Sequence, residues 1–151
     1  MRESLTTARA SAEQAAPRAE LGRALLLAAG DAAAFLAFAA VGRASHQEAS
    51  GLSALLQIAG TALPFALGWF AVAPFAGAYR RASTDTPGKM LQRTELAWLV
   101  AWPLSLLLRL ALAPDHALPM PFPFIVLAFV ALFLGLWRIG FALVERWLRR
   151  R

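Results

Sequence analysis

Cysteine is absent from this 151-residue chain, and charged residues are scarce. Without cysteine there are no disulfides, no thiol nucleophile and no thiolate metal site. Charged residues make up 16% of the chain and hydrophobic residues 59%, whereas a soluble domain is about 25% charged. This balance argues against a water-soluble fold.

The common catalytic and cofactor-binding motifs are also missing. The chain has no His-Glu-x-x-His, no Gly-x-Ser-x-Gly, no phosphate loop and no dinucleotide fingerprint. We therefore predict no catalytic residues, no cofactor and no metal, and the sequence does not support an enzyme. One alternative is a metal site built from His46, Glu48, Asp115 and His116. Their irregular spacing favours the simpler interpretation, that they are solvated loop residues.

What the chain does contain is four long apolar stretches, each close to the roughly 17–25 residues that cross a bilayer as a helix. The predicted spans cover about residues 24–42, 52–76, 96–113 and 122–144. The links between the first two and the last two are short, so the joined helices should be antiparallel neighbours. The predicted fold is an all-α membrane protein, an antiparallel four-helix transmembrane bundle over residues 23–148.

The sequence also makes predictions for the two tails and for the bounds of the second and third spans. Residues 1–22 are polar and show no apolar period, which predicts a disordered cytoplasmic tail. Residues 149–151 form a basic cytoplasmic tail. The second span is longer than a bilayer needs, so it must tilt, bend at Pro64 or end near Pro74. Thr86 and Pro87 suit the start of a short helix ahead of the third span.

Lysine and arginine predict the orientation. Thirteen of them fall in the two tails and the loop between spans two and three, and only Arg43 falls on the other side. By the positive-inside rule, both termini lie in the cytoplasm and the protein lies in the inner (plasma) membrane. The net charge of +6 then favours anionic lipid headgroups, and not nucleic acid, because no nucleic-acid-binding motif accompanies it. The predicted interfacial residues are Arg43, His46, Tyr79, Arg80, Arg81, Trp137 and Arg138.

Ionisable side chains within spans are rare and are functional-site candidates. We count residues along each span from the membrane face on which Arg43 lies. This count places several polar residues in the same half of the bilayer. We predict that they form a buried polar cluster. Its members are Asp31, Gln57, Thr61, Ser105 and Arg109. In the alternative, Arg109 extends to the nearby interface and Asp31 is protonated or solvated by loop backbone.

Several short sequence blocks of this chain occur together in one known family. The blocks are Gly30-Asp31, Phe35 to Phe38, Gly42 to His46, Thr61 to Phe65, Gly68-Trp69, Pro74, Gly77 to Tyr79, Ala101 to Pro103, Leu108-Arg109 and Leu136 to Arg138. Together they resemble the uncharacterised bacterial membrane family filed as domain of unknown function 3054, over about residues 24–139. The resemblance implies a small multi-helix membrane protein with no assigned activity or catalytic residue. It directs attention to Asp31, Arg43, His46, Pro64, Arg109 and Arg138.

Three functional hypotheses remain. The first is a structural or interaction bundle that assembles with itself or a membrane partner. In its favour, the bulky residues of span one contribute about −3 kcal/mol to insertion, which only offsets the cost of Asp31. The second is a small transporter or transporter subunit that uses the buried Asp/Arg polar cluster. The third is a lipid-binding module or lipid-facing enzyme that uses the basic loop around Arg80. We favour the first.

The predicted topology has a direct test. Since four spans bury their backbone in lipid, the protein should stay in membranes washed with alkaline carbonate and should leave only with detergent. Reporter tags on the two ends should both be cytoplasmic. Release by carbonate, or tags in opposite compartments, would contradict the four-span prediction.

Overall fold

The computed structural model describes the backbone of residues 2–44, 51–112 and 119–151, and the side chains of 17–43, 51–112 and 119–151. Within these ranges the chain forms four long helices and no strand. They are α1 (Arg2–Ala44), α2 (Gly51–Val72), α3 (Pro87–Leu112) and α4 (Phe122–Leu148). A short 3-10 helix, Arg81–Ser83, lies in the loop between α2 and α3.

The helices pack as a closed ring, in which α1 contacts α2 and α4 while α3 contacts α2 and α4. All four contain a segment long and apolar enough to cross a membrane: Pro17–Arg43, Gly51–Val72, Pro87–Leu112 and Phe122–Leu148. The predicted all-α four-helix membrane bundle is therefore confirmed, and the chain is a multi-pass membrane protein.

The helix bounds differ from the predicted ones in three places. The α1 helix includes residues 2–22, for which the sequence predicts disorder, since alanine is frequent there and has the highest helix propensity. The α2 helix ends at Val72, ahead of Pro74. Thr86 does begin a helix, because its hydroxyl accepts the Lys89 backbone N–H at 3.3 Å. That helix is not separate, but continues through the third span as α3.

Aromatic rings from three helices fill the centre of the bundle. Phe35 lies edge-on to Trp98 at a centroid distance of 5.9 Å and contacts Trp69 at 6.4 Å. The Trp98 indole also donates a hydrogen bond to the Leu127 carbonyl of α4 at 3.0 Å. Only 22–33% of each span is buried in the bundle, so the remaining leucine-rich surface faces lipid.

Glycine permits two close approaches between helices. Trp137 of α4 lies directly against Gly30 of α1, where a Cβ atom would overlap the indole ring. Gly68 of α2 lies against Ser105 of α3, and a Cβ there would be 3.0 Å from the Ser105 Cα. Both are contacts that only a residue without a side chain allows.

Gly68→Ala should therefore destabilise the bundle. The added methyl group meets backbone of α3, and overpacking of this kind costs about 1–3 kcal/mol. Gly60→Ala is the matched control in the same helix, since nothing lies within 4 Å of its Cβ position. Thermal unfolding in detergent should show a lower midpoint for the first variant only. Equal midpoints would contradict the close α2–α3 contact.

Candidate functional site

A buried ion pair joins α1 to α4. Arg138 donates from Nε to Asp31 Oδ1 at 2.9 Å and from Nη2 to Asp31 Oδ2 at 2.5 Å. Both side chains are fully buried, with 0% exposure. This two-pronged geometry is the strongest form of carboxylate–guanidinium pairing.

Residues from the end of α2 and the following loop complete the pair. Trp69 Nε1 donates to Asp31 Oδ2 at 3.0 Å, and the Tyr79 hydroxyl donates to the same oxygen at 2.7 Å. Arg138 Nη1 donates to the Ala78 carbonyl at 2.6 Å. We call Asp31, Trp69, Tyr79 and Arg138 the Asp31 cluster.

Two aromatic rings also enclose the Arg138 guanidinium. Its carbon lies 5.2 Å from the centroid of the Trp69 ring and 4.9 Å from that of Tyr79, within the range of cation–π attraction. Burial and the adjacent Asp31 carboxylate raise the pKa of Tyr79 above its ordinary value. The phenol thus stays protonated and remains a hydrogen-bond donor to Asp31.

The cluster offsets a large desolvation cost. An aspartate at the centre of a membrane helix costs about 2.5–3.5 kcal/mol on an insertion scale. Asp31 receives four hydrogen bonds, two of them from a cation. Removing one partner of a buried pair leaves the other charge without compensation, which costs more than either side chain contributes alone.

A second polar cluster lies at the end of the bundle where the α2–α3 loop meets Arg23 and the carboxyl end of α4. We call this end the basic end. Glu145 accepts hydrogen bonds from Arg23 Nε at 3.0 Å and from Arg81 Nη2 at 2.7 Å, and pairs with Arg149 at 3.0 Å. Arg23 Nη2 also donates to the Thr84 hydroxyl at 3.0 Å. Glu145, Arg23, Arg81, Arg149 and Thr84 form the Glu145 cluster.

The Asp31 cluster and the Glu145 cluster both fit the same axial register of α1 against α4. Asp31 follows Arg23 by eight residues, and Arg138 precedes Glu145 by seven. In antiparallel helices these steps correspond to about 12 Å and about 10.5 Å along the axis. The pairing of Arg23 with Glu145 therefore places Asp31 level with Arg138, and Gly30 lets Trp137 of α4 lie close to α1 there.

The structure does not bring the predicted cluster of five polar residues together, because Asp31 is bonded to Arg138 and to none of the other four. Arg109 is half-buried near the opposite end, with its guanidinium 4.6 Å from the Phe122 ring and its Nε without a hydrogen-bond partner among the described residues. Gln57 instead accepts a hydrogen bond from Arg43. The cause is the axial register of the helices: Asp31 lies farther than Arg109 from the Arg43 end of the bundle, and the cation that is bonded to it comes from α4.

The other predicted members make local bonds. The Thr61 hydroxyl donates to the Gln57 carbonyl at 2.9 Å. The Ser105 hydroxyl is buried and donates to the Ala101 carbonyl one turn earlier at 2.9 Å. These bonds satisfy each hydroxyl within its own helix, and the Ser105 hydroxyl also lies 3.5 Å from the Phe65 carbonyl of α2.

The predicted interfacial residues occupy several environments. Arg80 and Arg81 are exposed, Arg43 is half-buried, and Tyr79 reaches inward to Asp31. Trp137 packs on Gly30. Arg138 is fully buried within the bundle, where it is bonded to Asp31 and to the Ala78 carbonyl. His46, like the other three residues of the alternative metal site, lies outside the described residues.

Sequence reasoning missed Trp69, Arg23 and Glu145 as site residues, and it named Arg138 without predicting its pairing with Asp31. One signal for Arg138 was available: Ala128, Ala131, Gly135, Arg138 and Ala142 recur at helical spacing, so the cation lies on a small-residue face that can approach another helix. Trp69 belongs to the block Gly68-Trp69 of the family resemblance, but no helical spacing distinguishes it, because a tryptophan in a span is ordinary. Among the described residues, no group of three or more His, Cys, Asp or Glu side chains can hold a metal.

One comparison with known proteins gives a match. The model of a family described as "Protein of unknown function (DUF3054)" matches residues 28–141. The matched range contains the whole Asp31 cluster, while Arg23 and Glu145 lie outside it. No curated protein and no solved structure matches the chain.

A double-mutant cycle tests the buried pair. Asp31→Asn and Arg138→Met should each destabilise the protein by about 3–5 kcal/mol, because each leaves a charge or its partners uncompensated. The double variant should lose much less than the sum. Thermal and denaturant unfolding in detergent measure all four corners of the cycle.

Arg109→Leu is the matched control for removal of an arginine from a span. Among the described residues it loses the contact with Phe122, which is worth about 0.5–2 kcal/mol. Additive losses for Asp31 and Arg138, or a loss from Arg109→Leu as large as that from Arg138→Met, would contradict the assigned pairing.

Proposed function

The chain belongs to the DUF3054 family of proteins of unknown function, and we propose that this member is a structural or interaction bundle of a bacterial inner membrane that assembles with a second copy of itself. The observation that supports a structural role is the closed Asp31 cluster, and the contact between copies rests on a groove described below. The two charges of the cluster are 0% exposed and are bonded to each other and to groups of the bundle. Such groups hold helices together.

A transport role needs intramembrane charges that exchange partners with a substrate or with water. In the Asp31 cluster, Trp69 and Tyr79 occupy Asp31 Oδ2 alongside Arg138. A substrate would have to displace a cation and two neutral donors. This arrangement favours a fixed packing element over a transport site.

The proposed contact between copies is a groove of about 340 Å³ on the lipid-facing side of α3 and α4. Ala128 and Ala131 line it and leave room for a neighbouring helix. Glu95 also lines it, half-buried, and makes no hydrogen bond within the described residues. A two-fold contact would bring Glu95 of each copy together, and a pair of carboxyl groups that share one proton satisfies both in lipid.

The proposed orientation places the basic end in the cytoplasm. Arg23, Arg81 and Arg149 meet at this end, and the termini lie on the same side as the α2–α3 loop. Because Arg138 is buried, twelve of the thirteen cations counted from the sequence remain on this side. That asymmetry still favours cytoplasmic termini under the positive-inside rule.

Native mass spectrometry from nanodiscs tests self-assembly. The wild-type particle should have the mass of two chains, and Ala128→Leu should reduce it to one by filling the groove. Ala59→Leu, at an exposed alanine of α2, is the matched control and should remain dimeric.

Two results would overturn this role. The first is a wild-type particle that is strictly monomeric and carries no partner. The second is a solute flux in liposomes that Asp31→Asn abolishes while the protein stays folded, which would establish the transporter alternative instead.

A further inference from the structure

A polar groove of about 540 Å³ opens at the basic end, between the α2–α3 loop and the first turns of α3. Three cationic side chains line it: Arg80 from the loop, and Lys89 and Arg93 from α3. Phe75 also lines it and is 88% exposed. We call this the basic groove. It is separate from the contact proposed above between copies.

The loop that forms the groove is held in shape by its own hydrogen bonds. Gly77 adopts a φ of +74°, a left-handed conformation that suits glycine. The Ser83 hydroxyl donates to the Gly77 carbonyl at 2.6 Å and to the Arg80 carbonyl at 3.1 Å. The following residue, Thr84, is buried and bonded to Arg23. The loop is therefore tied to the bundle, and the groove is pre-organised for a ligand.

The cations of the groove differ from the neighbouring arginines in their pairing with acidic side chains. Arg23, Arg81 and Arg149 all pair with Glu145. Arg80 and Arg93 are exposed and form no ion pair with any described side chain. Lys89 pairs with Asp85 at 3.0 Å, but both side chains are largely exposed, at 56% and 41%. Such surface pairs contribute little, so an anion can recruit Lys89.

The position of the groove indicates what kind of anion fits. It begins directly after the membrane-spanning α2, which ends at Val72, and so lies at the depth of the lipid headgroups. Exposed Phe75 places an aromatic ring beside the cations, an arrangement typical of membrane interfaces. A ligand with a phosphate next to an apolar chain satisfies both features. The guanidinium group of arginine is a planar fork of donors that matches the oxygens of a phosphate.

We propose that the basic groove binds the phosphate group of an anionic phospholipid. Arg80 and Arg93 donate to the phosphate oxygens, Lys89 supplies a third positive charge, and Phe75 packs against the acyl region. The groove thereby positions an anionic lipid at the basic end of the bundle.

Titration of detergent-purified full-length protein with phosphatidylglycerol or phosphatidylcholine, followed by native mass spectrometry, measures this binding. Wild type should retain phosphatidylglycerol in preference to phosphatidylcholine. The double variant Arg80→Gln/Arg93→Gln should weaken phosphatidylglycerol binding by about tenfold or more, because it removes charged hydrogen bonds. Arg80→Lys/Arg93→Lys should retain part of it.

The matched control is Arg146→Gln/Arg150→Gln, which removes the same charge from exposed positions of the basic end outside the groove. It should bind phosphatidylglycerol as wild type does. Thermal unfolding without added lipid should give all variants the same midpoint. If the groove variant is unstable, Lys89→Gln/Arg93→Gln replaces it.

The outcomes separate the alternatives. Equal losses in the groove and control variants would show general charge attraction and overturn the proposed site, as would an unchanged groove variant. Competition by millimolar inorganic phosphate or glycerol 3-phosphate, as effective as the lipid itself, would support the phosphate site but overturn a phospholipid as its ligand.

Discussion

A charged carboxylate inside a bilayer has no water to solvate it, and Asp31 imposes that constraint on the rest of the bundle. Its oxygens need donors from other elements, since helical backbone N–H groups are already bonded. Arg138 supplies the opposite charge from α4, and Trp69 and Tyr79 supply neutral donors from α2 and the loop after it. One side chain on α1 thus determines how three other segments must lie.

The same constraint explains the contacts around the pair. Glycine at position 30 lets α4 approach through Trp137, and the left-handed Gly77 lets the loop turn back so that Ala78 and Tyr79 reach the pair. Span one, whose apolar residues barely offset its aspartate, is stabilised in the membrane by its neighbours. Stable folding of α1 in the membrane is therefore coupled to α4, which follows it in the chain.

Charge at the basic end is divided between two roles. Glu145 pairs with Arg23 of α1 and Arg81 of the α2–α3 loop, and so ties α4 to both at this end of the bundle. Arg80 and Arg93 of the basic groove are exposed and form no ion pair with a described side chain. These two are the cations that the proposed phospholipid would contact.

By itself the sequence determined the four-helix membrane fold, because each apolar stretch must satisfy its own backbone as a helix in lipid, and short links make neighbours antiparallel. It also identified Asp31 as a residue that needs partners. It did not determine the partners: the predicted cluster grouped Asp31 with Gln57, Thr61, Ser105 and Arg109, and Arg138 looked interfacial because it follows the last apolar run. Only the tertiary structure decided the pairing, since which residues meet depends on the axial register and rotation of α1 against α4. Those are set by long-range contacts such as Arg23–Glu145 and Gly30–Trp137, which leave no local pattern in the chain.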